Sequence, residues 1–253
     1  MPYGPTDTRM HDRLGVIEKG HELSARAARD LLDVGFAVIQ GPVEPRGLAR
    51  LAAAYDSAVD SAGPCDVSVG GTTTRVHDLV NRGPEFDALY VYGPVLDACR
   101  RVIGRPFRLS TLLARTLRPG ARAQPLHVDY GRDDEGWPMV GFILMVDEFR
   151  RDNGATRFVP GSHRSSAPPD GLLTEAAADY DGQLLACGTA GSVIVYNGAV
   201  WHGHSANSSG EPRRSIQGAY IRRDARPGCD WPSRMRPETL ARIGPLARYL
   251  LAV

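Results

Sequence analysis

After Arg105 the chain breaks into short runs with strand character: "FRLSTLLARTL", "QPLHVDY", "MVGFILMVDEF", "ATRFVPG", "GSVIVYNG", "AVWHGHSA" and "RSIQGAYIRR". Turn clusters such as "RPGA", "RRDNGA" and "NSSGEP" separate them, and no helical pattern intervenes. Parallel strands need long crossovers, usually helical, whereas antiparallel strands need only turns. Such a chain must therefore close as an antiparallel sandwich or barrel. The expected fold is mainly β with flanking helices, built on a jelly-roll core: a double-stranded β-helix of cupin-like form.

The flanks read differently. "LSARAARDLLDVG" predicts a helix with Ser24 as N-cap and Gly35 as stop. "FAVIQG" predicts a strand. "EPRGLARLAAAYDSAVDSA" predicts a second helix, with Leu48, Leu51, Ala52, Tyr55 and Val59 spaced at three and four. "LYVYGPVLDACRRVIG" fits a third, with Pro94 at its start. The Gly- and Thr-rich stretch "GPCDVSVGGTTTRVHDLVNRGPEF" has no clear assignment. One domain is expected over residues 1–253: an N-terminal arm (1–20), a helical layer with a first strand (21–104), the jelly-roll core (105–224) and a C-terminal tail helix (225–253), broken near Gly244-Pro245.

Composition limits the partners. A net charge of +1 gives no global field to attract nucleic acid or an anionic membrane. No apolar run approaches the roughly 18 residues of a membrane helix. The N-terminus lacks the apolar segment of a signal peptide, so a cytoplasmic location is expected. Cys65, Cys99, Cys187 and Cys229 form no CxxC pair; free thiols, mostly packing residues, are expected. The expected partner is a small-molecule substrate, with the protein a monomer or homodimer.

Within "QPLHVDYG", residues i and i+2 of a strand share a face, which sets the His127 imidazole beside the Asp129 carboxylate. Alone, such a pair is usually a surface coincidence. His202 in "VWHGHSAN" offers a third donor, and His204 on the same strand face competes with it. Two histidines and a carboxylate form the facial triad of non-haem Fe(II) oxygenases, which keeps positions open. Zinc hydrolases use the same donors but often as HExxH on a helix, which is absent. A 2-oxo acid co-substrate also needs a cation for its far carboxylate. Arg213 follows His202 after the "SSGEP" turn, and its planar fork suits a carboxylate. Arg214 should face the other way on a strand unless a bulge reverses the two.

These residues resemble the phytanoyl-CoA dioxygenase family of Fe(II)- and 2-oxoglutarate-dependent oxygenases. "TLRPGARAQPLHVDY", "VDEFRRDNGATRFVPGSHR" and "VWHGHSANSSGEPRRS" carry the resemblance, which runs from about "GFAVIQG" to "YIRR". It implies that His127, Asp129 and His202 bind Fe(II), that Arg213 pairs with the distal carboxylate of 2-oxoglutarate, and that Gln124 and Thr156 also contact this co-substrate. It implies dioxygen as oxidant and hydroxylation of an unactivated C–H, with release of succinate and CO2. Related halogenases replace the HxD carboxylate with a small residue, so Asp129 disfavours halogenation. The rival reading is a non-catalytic jelly-roll binding protein whose metal is structural or lost. Candidate substrate contacts are Tyr130, Arg132 and Trp137 in the loop after the HxD pair, Arg75, His77 and Asn81 near the mouth, and Arg115 in the pocket. Asn153-Gly154 and "PGSH" read as structural turns.

Overall fold

In a computed structural model, residues 22–165 and 178–253 are described; the expected arm over residues 1–20 lies outside them. Two antiparallel sheets form the core. The strands are β1 (Phe36–Gln40), β2 (Val67–Val69), β3 (Thr73–Val76), β4 (Phe107–Leu117), β5 (Met139–Met145), β6 (Thr156–Phe158), β7 (Leu184–Ala186), β8 (Ser192–Asn197), β9 (His202–His204) and β10 (Arg213–Arg222). The larger sheet has the order β1-β8-β5-β10-β4-β3-β2 and the smaller β7-β6-β9. Sequence neighbours are mostly not sheet neighbours, and after β5 the chain passes back and forth between the sheets. The fold is a jelly roll.

The apolar runs explain themselves once both faces of the larger sheet are seen to be covered. On β5, Val140, Phe142 and Leu144 join a core with the helices, while Ile143 and Met145 join a second core between the sheets. On β8, Val193 and Val195 face the helices, and Ile194 and Tyr196 face inward. A strand buried on both faces loses polar alternation, which is why "MVGFILM" and "SVIVY" read as continuous runs.

The covering helices are α1 (Ala25–Asp33), α2 (Leu48–Asp60) and α3 (Gly93–Val102), supplying Leu31, Tyr55 and Leu96. Ser24 Oγ accepts from the Ala27 amide, capping α1. Gly35 ends that helix at φ +100° and enters β1, an edge strand of the larger sheet.

Three expectations change. Residues 21–104 hold three strands rather than one, because the unassigned Gly- and Thr-rich stretch forms the β2–β3 hairpin that extends the larger sheet beyond β4. The tail is three short helices, α4 (Trp231–Arg234), α5 (Pro237–Arg242) and α6 (Pro245–Leu251), each with proline in its first turn, and the first two end before the next proline could fall inside them. Among the four free cysteines only Cys99 is buried; Cys65 and Cys187 are exposed, so packing does not account for them. No described helix is long and apolar enough to cross a membrane.

The tail is anchored by Trp231, 2% exposed, whose indole N–H donates to the Leu109 carbonyl on β4 at 3.0 Å. Trp231→Ala should lower unfolding free energy by about 3–5 kcal/mol, read as a drop in the urea midpoint at unchanged m-value; a loss under about 1 kcal/mol would mean that the tail does not support the core.

Candidate active site

The segment 124–127 lies against β9 as an added, irregular strand. His127 and His202 exchange both backbone hydrogen bonds, at 3.0 and 2.9 Å, and the Gln124 amide donates to the His204 carbonyl at 2.9 Å. Directly opposed antiparallel residues project their side chains from the same face, so the imidazole centroids sit 4.4 Å apart. Asp129 is brought in by a turn rather than a strand, its amide donating to the Gly198 carbonyl at 2.9 Å. Its carboxylate oxygens lie 3.8 Å from His127 Nε2 and 3.6 Å from His202 Nε2. The three donor atoms fall within 4.8 Å of one another.

Hydrogen bonds orient these donors. His127 Nδ1 lies 3.1 Å from the Pro125 carbonyl and His202 Nδ1 2.9 Å from the Val200 carbonyl. A carbonyl accepts only, so each Nδ1 carries a proton, and each Nε2 is the ring nitrogen turned toward the cluster. Burial, then the adjacent His202, pull the His127 pKa down, favouring the neutral ring. Burial alone would push the Asp129 carboxyl up, but His202, the Tyr196 hydroxyl, His127 and Arg115 together outweigh it and hold the group below its ordinary value.

A cavity of about 250 Å³ opens beside the cluster. Its lining includes Arg75, Arg115, Gln124, Thr156, His204 and Arg213. Arg213 is 2% exposed, with its guanidinium carbon 3.9 Å from the Phe149 ring centroid. Its Nε and Nη1 have no hydrogen-bond partner. Burial, then Arg115, push its pKa down to about 9, which still leaves it charged at neutral pH. Arg115 donates to Gln124 Oε1 at 3.0 Å and to Gln217 Oε1 at 3.4 Å. It also stands directly opposite Arg75 across β3 and β4, an arrangement of like charges that costs stability. Three guanidiniums thus face one carboxylate, Asp129, around the cavity. Such a wall draws anions.

Arg214 points away. It forms ion pairs at 2.7 Å with both Asp147 and Asp56, tying β10 to α2. His204 lines the cavity outside the donor cluster, its Nε2 3.2 Å from Thr72 Oγ1. Burial, then a contact to its own chain that works the other way, and then Arg115 and Arg213 leave its pKa at about 4, so the ring is neutral. His163 is buried elsewhere, with Nε2 3.1 Å from the Leu32 carbonyl.

Five candidates do not reach the cavity wall. His77 pairs with Ser68 on the β2–β3 hairpin at 3.0 Å, and Asn81 is buried, donating to Asp78 and to the Arg234 carbonyl. Trp137 donates to the His163 carbonyl at 3.2 Å, and Arg132 stacks over Trp137 at 5.2 Å. Tyr130 is 43% exposed. His77 and Asn81 spend their polar atoms on protein partners, across the β2–β3 hairpin for one and on Asp78 and the distant Arg234 carbonyl for the other. Conversely Tyr196 and Gln217 line the cavity unforeseen. The available signal was strand alternation: Tyr196 shares a face with Ile194 on β8, and Gln217 shares one with Arg213 on β10.

The family model for phytanoyl-CoA dioxygenase (PhyH) matches residues 31–215, well over half of the chain. The chain belongs to the phytanoyl-CoA dioxygenase family. Among curated relatives of this dioxygenase-family protein, the multifunctional dioxygenase prhA of Penicillium brasilianum is 29% identical over 220 residues, spanning 76% of this chain and 70% of prhA. Among solved structures, HygX from Streptomyces hygroscopicus, with nickel and 2-oxoglutarate bound, superposes with a TM-score of 0.66 at 18% identity, over 81% of this chain and 89% of HygX. The 2-oxoglutarate-dependent epimerase SnoN from nogalamycin biosynthesis gives 0.64 at 18% identity, over 78% of this chain and 82% of SnoN. These superpositions show the shared jelly-roll fold.

Gly203 lets segment 124–127 approach β9: a Cβ there would lie 2.9 Å from the Gln124 carbonyl oxygen and 3.0 Å from that of Pro125. Backbone on backbone cannot give way cheaply. Gly203→Ala should therefore separate His127 from His202 and weaken divalent-metal binding by at least roughly tenfold, about 1.4 kcal/mol, measured by anaerobic calorimetric titration. An unchanged affinity would show that the pairing does not set the site.

Proposed function

We propose that this protein is an Fe(II)- and 2-oxoglutarate-dependent dioxygenase that hydroxylates a C–H bond of a small organic molecule. The observation that carries the reading is Arg213: a buried guanidinium with two unpartnered nitrogens, on the wall of the cavity that also holds the His-Asp-His cluster. An unpaired buried cation is costly. A fold keeps one where a ligand completes it, and a purely structural metal site has no use for it. The donor set fits as well: two imidazole nitrogens and one carboxylate suit Fe(II) with positions left open.

In this reading His127, Asp129 and His202 hold Fe(II), and Arg213 pairs with the distal carboxylate of 2-oxoglutarate. Thr156, 5% exposed and opposite His204 in the smaller sheet, and Gln124 complete the co-substrate site. Arg115 occupies the Gln124 carbonyl oxygen, so the amide N–H groups of Gln124 are the ones left to donate. When bound, iron and 2-oxoglutarate supply the oxidising chemistry: dioxygen is consumed, and succinate and CO2 are released. The chain does the rest. Leu113, Met139 and Ile143 give the cavity an apolar side that excludes water, and the arginine side orients anionic groups. The cavity is smaller than the roughly 300–1,000 Å³ of a drug-sized site, so the substrate occupies its open mouth. We assign contacts there to Arg75 at the wall and to Tyr130 and Arg132 on the exposed loop that follows Asp129. That SnoN is an epimerase shows the same fold supporting another outcome, and product analysis distinguishes the two.

Anaerobic addition of Fe(II) and 2-oxoglutarate should produce a weak visible charge-transfer band. No band and no co-substrate binding would reject the oxygenase. Asp129→Ala and His202→Ala should each abolish the band by removing a metal donor. Arg213→Met should keep metal affinity and weaken 2-oxoglutarate binding by about 3 kcal/mol, roughly 10²-fold in Kd. The same variant should unfold at a higher temperature than wild type without ligand, because it removes an unpaired buried charge. Arg214→Ala should leave 2-oxoglutarate binding intact; if it alone impaired binding, the arginine assignment is wrong. A metabolite screen that follows succinate release and identifies the product tests hydroxylation.

A further inference from the structure

Tyr196 on β8 donates its hydroxyl to Asp129 Oδ2 at 2.7 Å. The ring is seated by its surroundings: the His202 and Phe158 ring centroids lie 4.9 and 5.7 Å away. Its cross-strand partner on β5 is Gly141. A Cβ built on Gly141 would lie 2.2 Å from Tyr196 Cζ and 2.4 Å from its hydroxyl oxygen. The tyrosine thus rests directly on the β5 backbone, in space that only glycine leaves open. Both residues sit inside runs of bulky apolar residues, "MVGFILM" and "SVIVYN", where neither a glycine nor a phenol is needed to fill the core.

We propose that Tyr196 is a positioning residue for the metal centre: seated by Gly141, its hydroxyl engages Asp129 Oδ2 and leaves Oδ1 as the oxygen that ligates the metal. The inference rests on the iron reading above. Its consequence is a count of open positions. A carboxylate that binds through both oxygens takes up one of the positions that 2-oxoglutarate and dioxygen require. A phenol that occupies one oxygen disfavours that mode and fixes the orientation of the other, as hydrogen-bond partners of metal ligands generally do. The Asp129 oxygens already lie on different sides, one nearer His127 and one nearer His202. The phenol is the hydrogen-bond donor that singles out Oδ2.

Tyr196→Phe keeps the ring and removes only the hydroxyl. With Co(II) as an air-stable spectroscopic probe, we expect binding weakened by roughly 10- to 100-fold and a changed d–d absorption spectrum, with or without 2-oxoglutarate. Gly141→Ala, which displaces the ring but keeps the phenol, should act in the same direction. Because both variants break one contact, the double variant should bind Co(II) no more weakly than Tyr196→Phe. A tyrosine that only fills the core predicts unchanged Co(II) affinity and spectrum in Tyr196→Phe, whatever happens to thermal stability; that result overturns the proposal. Wild-type protein that binds neither Co(II) nor Fe(II) overturns the iron reading as well, so the two failures are told apart by the wild-type titration.

Discussion

The mutual backbone hydrogen bonds of His127 and His202 are the contact on which the site depends. They make an irregular segment behave as a strand for the length of one residue pair, and that is enough to fix which way both imidazoles point. The Nδ1 bonds to Pro125 and Val200 follow from the same backbone path, so ring orientation and the donor role of Nδ1 are set by the chain that brings the residues together. Asp129 arrives through Gly198, one turn before β9. Each donor is thereby held by main chain, which is stiffer than a side-chain contact and suits a centre whose ligands must be in place before the metal enters.

Opposite that rigid cluster the molecule keeps an electrostatic imbalance. Arg75 and Arg115 face each other, Arg115 gives its hydrogen bonds to the neutral amide oxygens of Gln124 and Gln217, and Arg213 leaves two nitrogens without a hydrogen-bond partner. Arg214, one residue on, shows what the fold does with an arginine meant for stability: it forms two ion pairs and staples β10 to α2. Adjacent residues of one type thus meet opposite fates: one is paired twice, the other keeps two nitrogens without a hydrogen-bond partner.

Strand texture after Arg105, the cap at Ser24 and the stop at Gly35 were legible because each is a short-range effect. The β2–β3 hairpin was not, since a Gly- and Thr-rich stretch has no periodicity and is drawn into the sheet by the edge of β4. The HxD pair was read as strand alternation, yet Asp129 owes its place to a turn onto Gly198. His77 and Asn81 looked like mouth residues because sequence does not show that Ser68 and Asp78 satisfy them first. Tyr196 went unnoticed because a tyrosine ending a Val/Ile strand is indistinguishable from core until the carboxylate it reaches is placed.

By itself the sequence determined the jelly-roll class, the donor types of the site and the arginine on the inward face of β10, because periodicity, residue chemistry and strand alternation act over a few neighbours. Only the tertiary structure brought His202, and not His204, into the donor cluster, left two Arg213 nitrogens without a hydrogen-bond partner, and set a phenol from β8 against Asp129. Those outcomes depend on which distant strands become neighbours and how closely glycines let them approach, and no local pattern encodes that distance.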